Sequence, residues 1–211
     1  MSLAAQLKDG LATMGLDLPP VRQASLLAYV ALLKKWNRTY NLTAIRDESE
    51  MVTQHLLDSL SILPAVQESA LAGRRWADVG SGAGLPGIPL AIARPDLDMT
   101  LIETVEKKSA FQRQAKIELG LANITIAGGR VEDMAAAQFD AVVSRAFAEL
   151  GDFVGLAGHL PSQSGRLYAM KGVLPENEMA RLPRGWAVAE CMKLSVPGMD
   201  AQRHLIVLER S

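Results

Sequence analysis

Apolar residues recur three and four apart through the first third of the chain, then gather into short runs separated by turns. Leu3, Leu7, Leu11 and Met14 share one helical face. Pro19-Pro20 punctuates, and proline suits the first turn of a helix. Leu26, Leu27, Val30, Leu33 and Trp36 then predict a second helix from Pro20 to Asn37, broken across 37–41. Asp47-Glu48-Ser49-Glu50 has the form of a capping box. It predicts a third helix from near Glu48 that carries Met51, Val52, His55, Leu56 and Leu60.

From Arg74 the rhythm changes. Strand-like runs fall at 76–79, 99–103, 124–127, 141–144, 165–170, 187–194 and 204–209, with helical patterns at 85–93, 105–119 and 150–160. Alternating strands and helices predict a mostly parallel, seven-stranded sheet covered by helices on both faces. The last two strands have no long helical pattern between them and read as an antiparallel hairpin at the sheet edge. The expected fold class is therefore α/β and Rossmann-like. Residues 1–65 form an N-terminal helical extension packed on a core of residues 66–211, one structural unit overall.

The 211 residues are 49% hydrophobic and 21% charged, a globular balance. Apolar runs such as 26–33 are too short to span a bilayer, and the start of the chain lacks the order of a secretory signal. A cytoplasmic protein without a membrane partner is expected. One cysteine excludes an internal disulfide and a cysteine-cluster metal site. Cys191, in a late apolar strand, is expected to be a small buried hydrophobe. The histidines (His55, His159, His204) lack metal-ligand spacing and read as satisfied polar residues.

The run Asp78-Val79-Gly80-Ser81-Gly82-Ala83-Gly84-Leu85-Pro86-Gly87 joins a predicted strand to a predicted helix. Glycines let the backbone turn sharply and approach a ligand closely, and the helix start behind them offers unpaired N–H groups. Gly82 to Gly87 satisfies the dinucleotide pattern Gly-x-Gly-x-x-Gly. Gly80-Ser81-Gly82-Ala83-Gly84, with Asp78 two residues before it, resembles motif I of Rossmann-like S-adenosylmethionine (SAM) methyltransferases. An acid there suits the ammonium of the SAM amino-acid moiety. Glu103 ends the second strand, 19 residues after Gly84, near the spacing of a ribose-binding acid. Val131 and Glu132, after the third strand, suit an adenine site. Arg145 follows the fourth strand and is expected to point at substrate or cofactor.

An Asn/Asp-Pro-Pro-aromatic motif for methylating exocyclic amines is absent, and Cys191 lies away from the crevice loops expected to carry a nucleophile. These absences favour an acceptor that needs little activation, and guanine N7 fits. Arg145 then serves to position substrate or cofactor, with no general base expected. The net charge of −1 argues against a surface that grips nucleic acid throughout. Local clusters remain: Lys34, Lys35 and Arg38 at the end of the second helix, Lys107, Lys108, Arg113 and Lys116 after Glu103, and Lys171 after the fifth strand. Of these Lys34, Lys35, Arg38 and Lys171 are the candidate RNA contacts. Trp36 and Tyr40 interleave with the first cluster as an RNA-stacking surface would, although core packing is the favoured reading of Trp36.

Several separated stretches together resemble the bacterial glucose-inhibited division protein B family. They are Asn41-Leu42-Thr43-Ala44-Ile45, His55-Leu56-Leu57-Asp58-Ser59, Asp78 through Pro89, Val143-Ser144-Arg145-Ala146-Phe147 and Tyr168-Ala169-Met170-Lys171-Gly172. The resemblance implies SAM-dependent methylation of N7 of guanine 527, in the 530 loop of bacterial 16S rRNA, leaving S-adenosylhomocysteine. It puts SAM contacts on Gly80, Leu85, Val131, Glu132 and Arg145, with Glu103 as the ribose acid. Gly82, Gly84 and Asp78 complete the candidate cofactor set. The implied partner is the small ribosomal subunit or an assembly intermediate, met by a monomer without a metal. Ser81 and Ala83 stand where some members carry Thr and Pro. The residues alone leave open an NAD-dependent oxidoreductase on Gly82-x-Gly84-x-x-Gly87, a non-catalytic RNA-binding module, and another RNA acceptor such as tRNA.

Overall fold

The computed structural model describes residues 1–66, 74–147 and 149–211. The expected junction between extension and core, at residues 65 and 66, immediately precedes residues 67–73, which lie outside the described residues. Helix α1 (Leu3–Thr13) is capped by Ser2, whose hydroxyl accepts from the Ala5 N–H at 3.2 Å. Helix α2 runs from Pro20 to Tyr40, three residues past the expected break. Asn37 sits inside the helix because its side chain works outward. Its Nδ2 donates to the Ile45 carbonyl and its Oδ1 accepts from the Thr43 N–H, at 3.1 and 2.9 Å. The helix stops instead at Asn41, a left-handed residue at φ 49°.

Helix α3 (Glu48–Met51) begins at the predicted cap, where Asp47 Oδ1 accepts from the Glu50 N–H at 3.0 Å. It continues as a π-helical stretch, Val52–Leu57, and ends as α4 (Asp58–Leu60). The wider π turn had no signature in the hydrophobic pattern.

Seven strands form one sheet: β1 (Arg75–Val79), β2 (Asp98–Glu103), β3 (Ile124–Gly128), β4 (Phe139–Ser144), β5 (Pro161–Lys171), β6 (Trp186–Leu194) and β7 (Arg203–Arg210). Their spatial order is β3-β2-β1-β4-β5-β7-β6. The first five pair in parallel, and β7 runs antiparallel between β5 and β6. The expected terminal hairpin is therefore present, with β6 outermost. Cys191 is exposed, contrary to the expected burial. On an edge strand, alternation places it with exposed Lys193 on the open face.

The remaining α-helices among the described residues are α5 (Gly87–Ala93), α6 (Glu106–Glu118), α7 (Leu150–Ala157) and α8 (Glu176–Met179). Two apolar layers flank the sheet, because successive strand residues face opposite ways. Val143 and Tyr168 join one layer with Leu7, Leu26, Leu56, Ile88 and Phe111; Val142 and Leu167 join the other with Phe153 and Leu160. The first layer is continuous from α1 and α2 through α5 and α6. Trp76 stacks on Tyr168 within it at 5.0 Å. Half-buried Trp36 packs edge-on against Phe111 at 5.8 Å and lies 5.1 Å from Tyr40.

Candidate active site

The chain leaves β1 toward β2 and β3, then returns to place β4 on the other side of β1. A sheet of this kind opens a crevice at that reversal, beyond the carboxyl ends of its strands. The glycine turn occupies the spot. Gly80, Gly82 and Gly84 have φ of 68°, 57° and 84°, a region an L side chain resists. A Cβ on Gly80 would lie 2.9 Å from that of Ala146, whereas one on Gly82 would meet nothing nearer than 3.9 Å. Gly80 is thus required by the approach of two strand ends, and Gly82 faces open space. Gly87 lets α5 lie tight on the sheet, since a Cβ there would collide with Leu101 and Asp78.

Three side chains hold the turn from behind. Gln112, fully buried on α6, donates through Nε2 to Ser81 Oγ and to the Gly82 carbonyl, both at 2.8 Å. Tyr29, fully buried on α2, donates its hydroxyl to the Ala83 carbonyl at 2.8 Å. Asp78 lies beneath the turn with no exposed surface and accepts from the Gly87 N–H at 2.8 Å, while its Oδ1 has no partner. Burial drives the Asp78 carboxyl up to about 7; the Gly87 N–H and Arg145 oppose the shift and Glu103 adds to it. The structure therefore puts Asp78 under the glycine turn rather than in the crevice.

Glu103 lies at the carboxyl end of β2, largely buried. Its Oε2 accepts from the Gly82 N–H at 2.8 Å and its Oε1 from the Val105 N–H at 2.9 Å. Each oxygen keeps accepting capacity beyond that one bond. Val131 and Glu132 open the short 3₁₀ turn after β3, with Val131 buried and Glu132 exposed. The Gly129 N–H ties that segment back to the Glu103 carbonyl at 3.2 Å. The glycine turn, Glu103 and the Val131–Glu132 turn thus lie in order along one edge of β1, β2 and β3.

On the β4 side, a crevice of about 210 Å³ is walled by Gly80, Ser81, Gly82, Ala83, Leu85 and Arg145, with Leu42, Thr43 and His55 from the helical layer. A second cavity of about 380 Å³ adjoins it, bordered by Gln54, Asp58, Lys171 and Arg203, and shares His55 and Arg145 as walls. Arg145 Nη1 donates to Asp58 Oδ2 at 2.7 Å, and Arg203 Nε donates to Asp58 Oδ1 at 2.8 Å. His55 Nε2 lies 2.9 Å from Thr43 Oγ1. Burial, reinforced by the Arg145 charge, pushes His55 down to about 4, so the ring is uncharged at neutral pH.

Of the four candidate RNA contacts, Lys34 is paired with Glu48 at 2.6 Å and Lys171 with Glu178 at 2.9 Å. Lys35 and Arg38 are exposed. A third cavity, about 210 Å³, is lined by Lys34, Asn37, Arg38, Arg46 and Met51. Sequence reasoning missed Tyr29, Gln112 and Arg46 altogether and gave Thr43 and Asp58 no role of their own.

The fold recurs among solved structures. A SAM-dependent methyltransferase from Aquifex aeolicus superposes with a TM-score of 0.58 at 16% identity, over 77% of this chain and 93% of that one. The chain is 58% identical to the ribosomal RNA small subunit methyltransferase G of Aromatoleum aromaticum over 99% of both chains. It is 55% identical to the enzyme of the same name from Azoarcus sp., over 98% of this chain and 96% of that one. The GidB family model, described as rRNA small subunit methyltransferase G, matches residues 22–206. With the glycine turn, the acid at the end of β2 and the arginine after β4 arranged as above, the chain belongs to the rRNA small subunit methyltransferase G family.

Proposed function

We propose that this protein transfers the methyl group of SAM to N7 of a guanine in 16S rRNA, the position the family resemblance implies being guanine 527. The carrying observation is the crevice at the β1–β4 reversal, walled by an open glycine turn and Arg145, with Glu103 bonded to the Gly82 N–H of that turn, in a chain of this family.

The residues suit the cofactor. Gly82 leaves the ligand's path free of side chain, and Glu103 presents two carboxylate oxygens to ribose hydroxyls. Val131 and Glu132 lie farther along the same edge, at the adenine end. When bound, SAM supplies a methyl on a sulfonium; in the in-line displacement the purine lone pair forms the new N–C bond, and the C–S pair stays with sulfur. No proton has to leave N7 first, so positioning carries the catalysis. His55 stays neutral in the crevice wall and would add no positive charge against a bound sulfonium cofactor. Asp58, on the second-cavity side of Arg145, offsets its charge.

Lys35, Arg38 and Arg46 give the RNA phosphates a basic approach beside the crevice. Asn37 links the two regions, because it fixes the loop that brings Thr43 to the crevice and Arg46 to the third cavity.

The test is transfer of labelled methyl from SAM to small ribosomal subunits from a strain lacking the modification, with the product nucleoside identified and mapped. The expected product is 7-methylguanosine in the 530 loop. Intact SAM binding with no label there would move the acceptor to another RNA.

A further inference from the structure

Asp58 connects three distant parts of the chain. It opens α4, directly after the π-helical stretch that carries His55, a helical irregularity often found at functional sites. One carboxylate oxygen takes Arg145, 87 residues away after β4, and the other takes Arg203, 145 residues away at the start of β7. Its side chain is only 5% exposed, against 23% for Arg145 and 26% for Arg203. Removing a carboxylate from water to this degree is costly, and an apolar substitute often serves stability as well or better. Packing alone is therefore a weak reason for this cluster.

Its position supplies a better one. Arg145 is the side chain that, with His55, divides the cofactor crevice from the second cavity. The guanidinium is planar, so its effect on either side depends on the angle at which it is held. Asp58 fixes that angle through one Nη, and Arg203 fixes Asp58 through its second oxygen. Neither Asp58 nor Arg203 lines the crevice; both line the second cavity.

We propose that Asp58 and Arg203 are positioning residues of the methyl transfer, forming a relay that holds Arg145 in the wall between cofactor and acceptor base, with the base received by the second cavity. This rests on the methyltransferase reading above. The cavity suits a guanine: Arg145 and Arg203 bring N–H donors to its border, matching the O6 acceptor, where adenine would present a donor instead.

The experiment compares Asp58→Asn, Arg203→Gln and the double variant with the parent protein. Readouts are thermal stability, SAM affinity by calorimetry, and single-turnover methyl transfer to small subunits. Arg203→Gln is expected to bind SAM as the parent does and to slow single turnover roughly tenfold, with Asp58→Asn slowing it on the order of a hundredfold. Arg203→Lys should restore part of the loss, since an ammonium still pairs with the carboxylate but without a fixed plane. If the two act as one relay, the double variant is no slower than Asp58→Asn alone; independent roles multiply the losses.

A readout free of RNA and cofactor is the nitrogen spectrum of the Arg145 guanidinium. Its Nη signals should be resolved in the parent and averaged in Asp58→Asn. Single turnover at the parent rate in Arg203→Gln would overturn the relay. So would a loss that only follows the fraction of protein still able to bind SAM. Should Asp58→Asn fail to fold, Arg203→Gln and Arg203→Lys decide alone. The turnover rate reads the relay whichever RNA atom takes the methyl, whereas the identity of the product nucleoside tests the underlying reading. A parent protein that methylates no RNA would overturn both.

Discussion

The Tyr29 hydroxyl donates to the Ala83 carbonyl at 2.8 Å across 54 residues of sequence, tying the second helix to the middle of the glycine turn. The ring is fully buried against Phe111, 6.1 Å away. Burial lifts the phenol well above its usual range, so it remains a donor at any working pH. Tyr29→Phe keeps the packing but strands a carbonyl. The expected cost is about 1–2 kcal/mol of stability, together with weaker SAM binding as the turn loosens. Calorimetric SAM affinity and a denaturant titration check both. Unchanged SAM affinity would make Tyr29 a core residue only.

Gly82→Asp should abolish SAM binding while the protein still folds. Aspartate tolerates a left-handed backbone better than most residues, and a Cβ at Gly82 meets no protein atom nearer than 3.9 Å. Its carboxylate would stand in the crevice beside Glu103, whose Oε2 bonds the same residue's N–H. A folded variant with parental SAM affinity would remove the glycine turn from the cofactor site.

Much of this was legible because it is local. Strands alternate with helices from Arg74 onward, and the spacing from Gly84 to Glu103 falls within one strand–helix–strand unit. What the sequence concealed is long in range or depends on geometry finer than its periodicity. Gln112 reaches Ser81 across 31 residues and Asp58 reaches Arg203 across 145, and no spacing announces either. The π-helical stretch at Val52–Leu57 shifts its neighbours by one residue per turn with no change in apolar pattern. Cys191 misled because the apolar makeup of its strand does not tell which face is packed; β6 lies at the sheet edge, and Cys191 falls on its open face, whereas interior β1 is buried from Trp76 to Val79.

His55 should make the protein acid-labile. Burial and the Arg145 charge lower its folded pKa from 6.5 to about 4. Between those values the unfolded chain binds a proton that the folded protein refuses, so stability falls as pH drops from 6.5 toward 4. The ring is nearly fully buried, and the full loss is on the order of 3 kcal/mol. Asp78 acts in the opposite sense. Its carboxyl, raised from 3.8 to about 7, binds a proton more readily folded than unfolded, so its contribution weakens as pH rises through that window. His55→Gln should remove the acid lability and leave only the Asp78 trend, and Asp78→Asn should steepen the fall on the acid side. Denaturant midpoints measured from pH 4 to 7 decide; parallel curves for His55→Gln and the parent would exclude a buried neutral imidazole.

Charge reversal near the third cavity should separate RNA binding from cofactor binding. Arg38 and Arg46 are exposed around it, while Lys34 is engaged by Glu48. A phosphate contact contributes a counterion-release term, so removing one flattens the salt dependence of RNA affinity by a slope of roughly 0.7 to 0.9. Arg38→Glu and Arg46→Glu are each expected to raise KM for small subunits and to flatten that slope, with SAM affinity unchanged because neither residue borders the crevice. Lys34→Ala should do less, since a lysine already paired with a carboxylate has less charge to offer a phosphate. Affinities of a 530-loop RNA measured across a salt series give the slopes directly. If Arg38→Glu and Arg46→Glu keep the parental slope, RNA reaches the crevice by another face, and the nearby lysines on α6 become the candidates.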